Sequence, residues 1–330
     1  MAINSSVYSS KQFELYIAPQ TTMGTAMTAS DNASFTKLEV VSVNDVDFGG
    51  GLIQERALRS GQQIKKSTDH YVSQKGAMYT LEFEWIVSHK EGLIQLMKMI
   101  SEDSASAFEV AGTFSPAVYN HGDTTGNFAT IIVSNPNTSD DRLLHSCVLT
   151  NLTLSMDSGS EGGRLVASGT FMSGYKPTVG ANTVAPSGTQ TSFIKTIYDC
   201  TTKRLGADNA ANDVVAKAFS MEFSYPAMRI GYQGSDADAE QYARSGEYTA
   251  SGTINVKYDG VSAPELSQFL SGSTRAVLFG DASTIDFSVP TAVYTGFNLD
   301  LGDSEEGTFV EVPFEATADG SANLFSIIVA

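Results

Sequence analysis

Basic residues are in short supply: 20 lysines and arginines stand against 37 aspartates and glutamates, a formal net charge of −17. Affinity for nucleic acid comes mainly from basic side chains that displace counterions from phosphate. The balance therefore excludes a chain that grips DNA or RNA, and any nucleic acid nearby is not held. Cysteine is nearly missing. Cys147 and Cys200 are too few for a disulfide scaffold or a cysteine-ligated metal site, so a reduced compartment is the simplest expectation, with one bridge between the two left open. Long apolar runs are missing as well: stretches such as 324–330 and 131–133 fall far short of the roughly 20 residues that cross a bilayer. No membrane association is expected. The opening "MAINSSVYSSKQFELYIAP" has no basic segment followed by a long apolar run, and reads as mature sequence rather than as a signal peptide.

Signatures of catalysis are also lacking, and the chain is read as a non-enzyme without cofactor or metal. His70, His89, His121 and His145 lie far apart, without the short spacings of a zinc site. The acidic stretches "DSGSEGG" (157–163) and "SDADAE" (235–240) do not fit the twelve-residue calcium loop that ends in a bidentate glutamate, and read as solvated turns. Glu82 and Glu84, at i and i+2 on one strand, point the same way and do not flank a glycosidic bond from two sides. The glycine run at Gly49 is not followed by the lysine and hydroxyl residue of a phosphate-binding loop, and no GxSxG elbow occurs. The single tryptophan, Trp85, sits at an apolar position of a strand and reads as core.

What is present is a β-rich pattern in a chain of 330 residues, long enough for two domains. "KLEVVSVNDVDF" (37–48) and "MYTLEFEWIVS" (78–88) read as strands. Between them lies "GGGLIQERALRSGQQIKKSTDHYVSQKG", a polar stretch of the length that is usually functional or disordered. "EGLIQLMKMI" then puts Leu93, Leu96, Met97 and Ile100 on one helical face. Residues 103–141 are turn-rich around a brief strand at 129–134 and look like an insertion. Residues 174–192, rich in glycine, proline, serine and threonine, are the expected domain boundary.

The second half repeats this order. "AFSMEFSY" (218–225) is a strand, the acidic stretch 229–246 takes the place of the long loop, and "YTASGTINVKY" aligns on "YTLEFEWIVSH" with Leu81, Phe83, Trp85 and Val87 over Ala250, Gly252, Ile254 and Val256. A helix follows, with Leu266, Phe269 and Leu270 echoing the first. The late hairpin "LTLSMDSGSEGGRLVASGTFMSG" matches "FNLDLGDSEEGTFVEVPFEAT", with Leu152, Leu154 and Met156 over Phe297, Leu299 and Leu301. The expected division is a first unit at 1–175 with an insertion at about 103–141, a linker at 176–217, and a second unit at 218–330.

The long polar loop, the strand-to-helix passage "YTLEFEWIVSHKEGLIQLMKMI" and the late hairpin, with their second-half counterparts, resemble the tail tube protein, or major tail protein, of long-tailed bacteriophages. The resemblance implies a mainly β fold: two tandem β-sandwich or barrel-like units, each with a short side helix and a long inter-strand loop. It implies a structural virion protein, assembled in the bacterial host cytoplasm and located in the virion tail. Its strands would join those of neighbouring copies to close a ring, and the rings would stack into a channel that DNA crosses during ejection. Two units per chain imply a trimeric, pseudo-hexameric ring; a single unit implies a hexamer. Implied partners are further copies and the tape-measure, tail-terminator and distal-tail proteins. The long loops would stack the rings, which makes Arg56, Arg59, Lys65, Lys66, Asp69, Asp236, Asp238, Glu240 and Arg244 the candidate stacking residues.

Strand parity bears on such a bore, because a wall around a channel turns polar residues away from its packed side. Glu82, Glu84, Ser251, Thr253, Asn298, Asp300, Glu311 and Glu315 are the lumen-facing candidates. The face is polar and mostly acidic, and would repel the DNA backbone, which carries about one charge per 1.7 Å. The same alternation also suits a half-exposed antiparallel sheet facing water. Likewise the strand "TFVEVPFEAT", without lysine, invites pairing with another chain, while Pro313 and Glu311 can blunt it. The rival functional class is a two-domain β-sandwich adhesin or carbohydrate-binding module, with the long loops as recognition loops.

Overall fold

The computed structural model describes residues 12–46, 53–55, 70–72, 78–101, 108–109, 118–120, 128–136, 139–181, 184–206, 210–281, 284–302, 307–317 and 324–329. The first half runs β1 (Glu14–Gln20), β2 (Thr36–Leu38), β3 (Val40–Val43), β4 (Ile53–Glu55), β5 (His70–Val72), β6 (Tyr79–Ile86), α1 (Lys90–Ser101), β7 (Phe108–Glu109), β8 (Val118–Asn120), β9 (Phe128–Ser134), β10 (Asp141–Asp157), β11 (Val166–Ser173) and β12 (Thr178–Gly180). The second runs β13 (Thr202–Leu205), β14 (Ala216–Ser224), β15 (Ala227–Ile230), β16 (Gln241–Arg244), β17 (Thr249–Lys257), α2 (Glu265–Ser271), β18 (Thr274–Gly280), β19 (Ile285–Tyr294), β20 (Asn298–Asp300), β21 (Phe309–Ala316) and β22 (Ser326–Val329). The fold is mainly β, as the alternation predicts, and its pairings are antiparallel.

One sheet crosses both halves in the order β3, β6, β11, β10, β14, β17, β21, β20. Behind it lie two shorter rows. In the first half they run β2, β1, β9, β10, β12; in the second, β13, β18, β19, β22, β7. Strands β10 and β19 belong to both layers, which encloses the core between them. The bend in β10 coincides with a register shift between Leu144 and Cys147. There Ser146 takes a φ of 53°, a region that non-glycine residues enter rarely. A buried network holds it: the Ser146 amide donates to Gln20 Oε1 at 2.7 Å, Thr130 Oγ1 donates to the same oxygen at 3.0 Å, and Gln20 Nε2 donates to Ser146 Oγ at 2.9 Å.

The core face follows from period-two alternation. Leu81, Phe83 and Trp85 on β6, Leu152, Leu154 and Met156 on β10, and Phe219, Met221 and Phe223 on β14 are all buried. The two halves invert one contact. On β11 Gly169 lies opposite Phe83 of β6, and on β17 Gly252 lies opposite Phe314 of β21. In each case the ring covers the bare glycine, so a Cβ would come within 3.2 Å of Phe83 or 2.5 Å of Phe314.

Helix α1 buries Leu93, Leu96, Met97 and Ile100 as the helical spacing predicts. His89 begins it, its Nδ1 accepting the Gly92 amide at 3.1 Å. Helix α2 departs from expectation. It has only two turns, Leu270 is 75% exposed, and its buried residue is Glu265, bound bidentately by Arg275 at 2.9 and 2.6 Å and by the Tyr294 hydroxyl at 3.0 Å.

Three further expectations are corrected. The insertion at 103–141 is too long, because β9 is a central strand, buried on both faces and paired on each side with β1 and β10. The linker at 176–217 holds β12, which pairs with β10, and β13, which pairs with β18. The stretch 37–48 breaks at Glu39 into β2 and β3, which enter different layers. The cysteines are two buried free thiols, so no bridge joins them.

Candidate functional site

The face of the continuous sheet that turns away from the core is where most sequence candidates meet. Cross-strand register aligns Ser42, Glu84, Ser168, Thr153, Glu222, Ser251 and Glu315 in one row over seven strands. A second row joins Glu82, Thr170, Asn151, Ser224 and Thr249; a third joins Ser155, Ser220, Thr253 and Pro313; a fourth joins Asp157, Ala218, Asn255, Glu311 and Asn298. These rows contain no lysine or arginine. All eight lumen-facing candidates lie on this face, Asp300 at its end opposite Phe309. Glu222, in the middle of the first row and exposed, was not among them. The alternation of Phe219, Met221 and Phe223 with Ser220, Glu222 and Ser224 carried the signal.

Across the first two rows an open polar depression of ≈ 290 Å³ lies between Ser42, Glu82, Glu84, Asn151, Thr153 and Thr170. Asn44 Nδ2 donates to Glu82 Oε2 at 2.9 Å at its edge. The lining holds no basic residue and no exposed ring, so it offers an anion nothing to bind and a sugar nothing to stack on. Cations lie at one end of the face: Lys257 is exposed opposite Phe309, in the row of Asp300, and Lys217 lies 4.3 Å from the centroid of the Phe309 ring. Chemically the face presents hydroxyls, amides and carboxylates and repels polyanions.

At either end the sheet stops at an edge. Among the described residues β3 pairs only with β6, and β20 only with β21. Large apolar side chains are exposed beside both edges: Val41 at 53%, and Leu299 and Leu301 at 37% and 82%.

The stacking candidates divide. Arg56, Arg59, Lys65, Lys66 and Asp69 lie outside the described residues; the strands β4 and β5 that flank them pair as a hairpin. Asp236, Asp238 and Glu240 occupy the turn between β15 and β16, with Asp236 and Glu240 exposed. Lys176 Nζ reaches Asp236 at 3.3 Å, and the Lys176 amide donates to Asp238 Oδ1 at 3.1 Å. Arg244 is not a loop-tip residue. It is 6% exposed, and its guanidinium donates to the carbonyls of Leu149 (3.0 Å), Tyr225 (2.6 Å) and Met99 (3.2 Å) while lying 4.5 Å from the Tyr225 ring. It ties the second-half hairpin to α1 and to the β10 strand of the first half. Tyr242 strengthens that docking: it is fully buried against Met23, Phe128, Val148 and Tyr175, and its hydroxyl accepts the Gly174 amide at 2.7 Å. Strand β8 adds a third strand to the hairpin.

His145, beside the bend of β10, packs 4.7 Å from Tyr175. Burial lowers its pKa below the ordinary histidine value, and the Asp238 charge offsets this only in part. The unfolded chain therefore binds the proton more readily than the folded one. Stability contributed by neutral His145 should be present above about pH 6.5 and be lost as pH falls from there toward the lowered folded value. Urea unfolding midpoints measured across that range should fall with acidity, and His145→Gln should flatten the slope; an unchanged slope would remove His145 as its source.

No protein-family model matches the chain, and no curated protein matches it by sequence. Among the described residues no helix is long and apolar enough to cross a membrane.

Proposed function

We propose that the chain is a structural subunit of a phage tail tube, self-assembling into stacked rings whose acidic inner wall lets DNA pass without adhering. The observation that carries this reading is the repeated strand order. β3, β6, β11 and β10 in the first half correspond to β14, β17, β21 and β20 in the second, and the two sets of four are already joined edge to edge at β10 and β14. The long connections β4–β5 and β15–β16, the helices α1 and α2, and the outer strands β1, β9 and β12 against β13, β18 and β22 fall at matching places in each half. A duplicated unit that joins its twin inside the chain has the geometry to join a further copy outside it, and a head-to-tail contact of this kind generates rings when the rotation closes.

Two units per chain make three chains per ring the expected number. The acidic face then lines the bore, the turn at 235–240 and the connection 56–69 face adjoining rings, and tape-measure, terminator and distal-tail proteins meet the tube inside and at its ends. Assembly takes place in the host cytoplasm and the finished protein resides in the virion tail. Negative-stain electron microscopy over a concentration series, with mass photometry on the same samples, tests the reading. Hollow rings or tubes built on three-chain units are expected; monomers alone at every concentration oppose it.

A further inference from the structure

The bond between copies can be specified residue by residue, because the chain contains one intact junction and both halves of a second. Glu84 and Thr253 occupy matching places on β6 and β17. Their partners on one side are Ser42 and Ser220, and on the other Ser168 and Pro313. Moving two residues along β11 and β21 reaches Val166 and Glu311, whose partners are Ser155 and Asn298. Thus Asn298 stands where Ser155 stands, and Ser42 where Ser220 stands. Inside the chain Ser155 is directly opposite Ser220.

We infer that β20 of one chain pairs antiparallel with β3 of the next, with Asn298 opposite Ser42, Phe297 opposite Val43 and Leu299 against the bulged pair Val40 and Val41. The inference rests on the assembly reading above and names its contact. Three observations support it apart from the repeat. Both strands lack a second partner among the described residues. The exposed Leu299 and Val41 meet in this register, as buried Met156 and Phe219 do inside the chain. Phe297 and Val43 are already half-buried against the core, so the new strand extends an existing apolar layer. Val41 is the extra residue where β3 shifts register against β6, so β6 offers it no partner of its own.

The register makes a covalent test available. At the internal junction the Ser158 amide donates to the Lys217 carbonyl and the Tyr225 amide to the Thr150 carbonyl, each at 2.9 Å. Alternation then makes Ser155 and Ser220 a non-hydrogen-bonded pair, the kind whose side chains approach closest. Asn298 and Ser42 inherit that geometry, which suits a disulfide.

The experiment mixes full-length Asn298→Cys with Ser42→Cys, and separately with Asn44→Cys, an exposed residue two positions further along the chain, just past the end of β3. Each mixture is oxidised mildly, cross-links are read on a denaturing gel, and mass photometry counts chains in the same samples. The Ser42 pairing should give about tenfold more intermolecular adduct than the offset pairing, since a two-residue offset carries the Cβ atoms beyond disulfide reach. Rings that form without adduct at Ser42, or that link preferentially through Asn44, overturn the register while leaving the tube reading in place. Adduct at Ser42 in open chains that never close supports the junction and overturns the tube. Monomers without adduct overturn both.

Discussion

Replacing Glu82, Glu84, Glu222, Glu311 and Glu315 with lysine should turn a wall that repels DNA into one that holds it. All five lie on the outward face of the sheet, in rows that contain no lysine or arginine. If each new lysine neutralises one phosphate, binding of a short duplex to the variant should fall about 500-fold between 50 and 200 mM salt, following a log–log slope near −4.5. The unmodified protein should show no binding over the same range. The substituted positions are solvent-facing and the core residues behind them are untouched, so the fold and the length of assembled tails should be preserved. In a phage carrying the variant, ejection should slow and infectivity should drop. A matched set of glutamate-to-glutamine changes should have a much smaller effect, because it removes repulsion without adding attraction. Unchanged infectivity of the lysine variant, with tails of normal length, would argue that this face never meets the DNA.

Arg244→Ala should cost the folded subunit about 3–5 kcal/mol, as three charge-assisted hydrogen bonds to main-chain carbonyls are lost and those carbonyls are left buried. The guanidinium spans acceptors at Leu149, Tyr225 and Met99, which belong to β10, to the end of β14 and to α1. The loss therefore loosens the join between the halves as well as the hairpin itself. Arg244→Lys should recover only part of it, because an ammonium lacks the planar fork that reaches several acceptors at once. Lys176→Ala is the control. Its 3.3 Å ion pair with Asp236 is exposed, and such pairs contribute at most about 1 kcal/mol. Urea midpoints for the three variants rank these effects, and an Arg244→Ala midpoint near that of Lys176→Ala would contradict the role assigned to the arginine.

Arg244 also marks where sequence reading stops. A lone arginine in a polar, acidic stretch has the pattern of a loop cation. Its burial depends on carbonyls 19, 95 and 145 positions away in the chain, which no local pattern encodes. Strands β6, β14 and β17 were legible because one of their faces is buried and the other is not, so the alternation appears directly in the letters. β9 was obscured for the opposite reason. "FATIIVS" is buried on both faces, gives no alternation, and sits among turn signals, so a central strand passed for part of an insertion.

On the proposed correspondence of the two halves, the late hairpins match two residues away from where the letters alone align them. Cross-strand register sets Asn298 over Ser155, and the turn of the second hairpin is two residues longer than the first. Because the shift is even, each residue keeps its face. In α2 the apolar spacing is used in part, with Phe269 packed against the core and Leu270 exposed, and a buried carboxylate paired with Arg275 anchors the helix.

Cryo-electron microscopy of the assembled protein tests the central claim most directly, that one sheet continues from chain to chain with its acidic face inward. The expected map shows a hollow ring in which β20 of each chain lies beside β3 of the next and Glu84, Glu222 and Glu315 point into the bore. A ring whose chains meet through other surfaces, or whose acidic rows face the outside, would contradict the account.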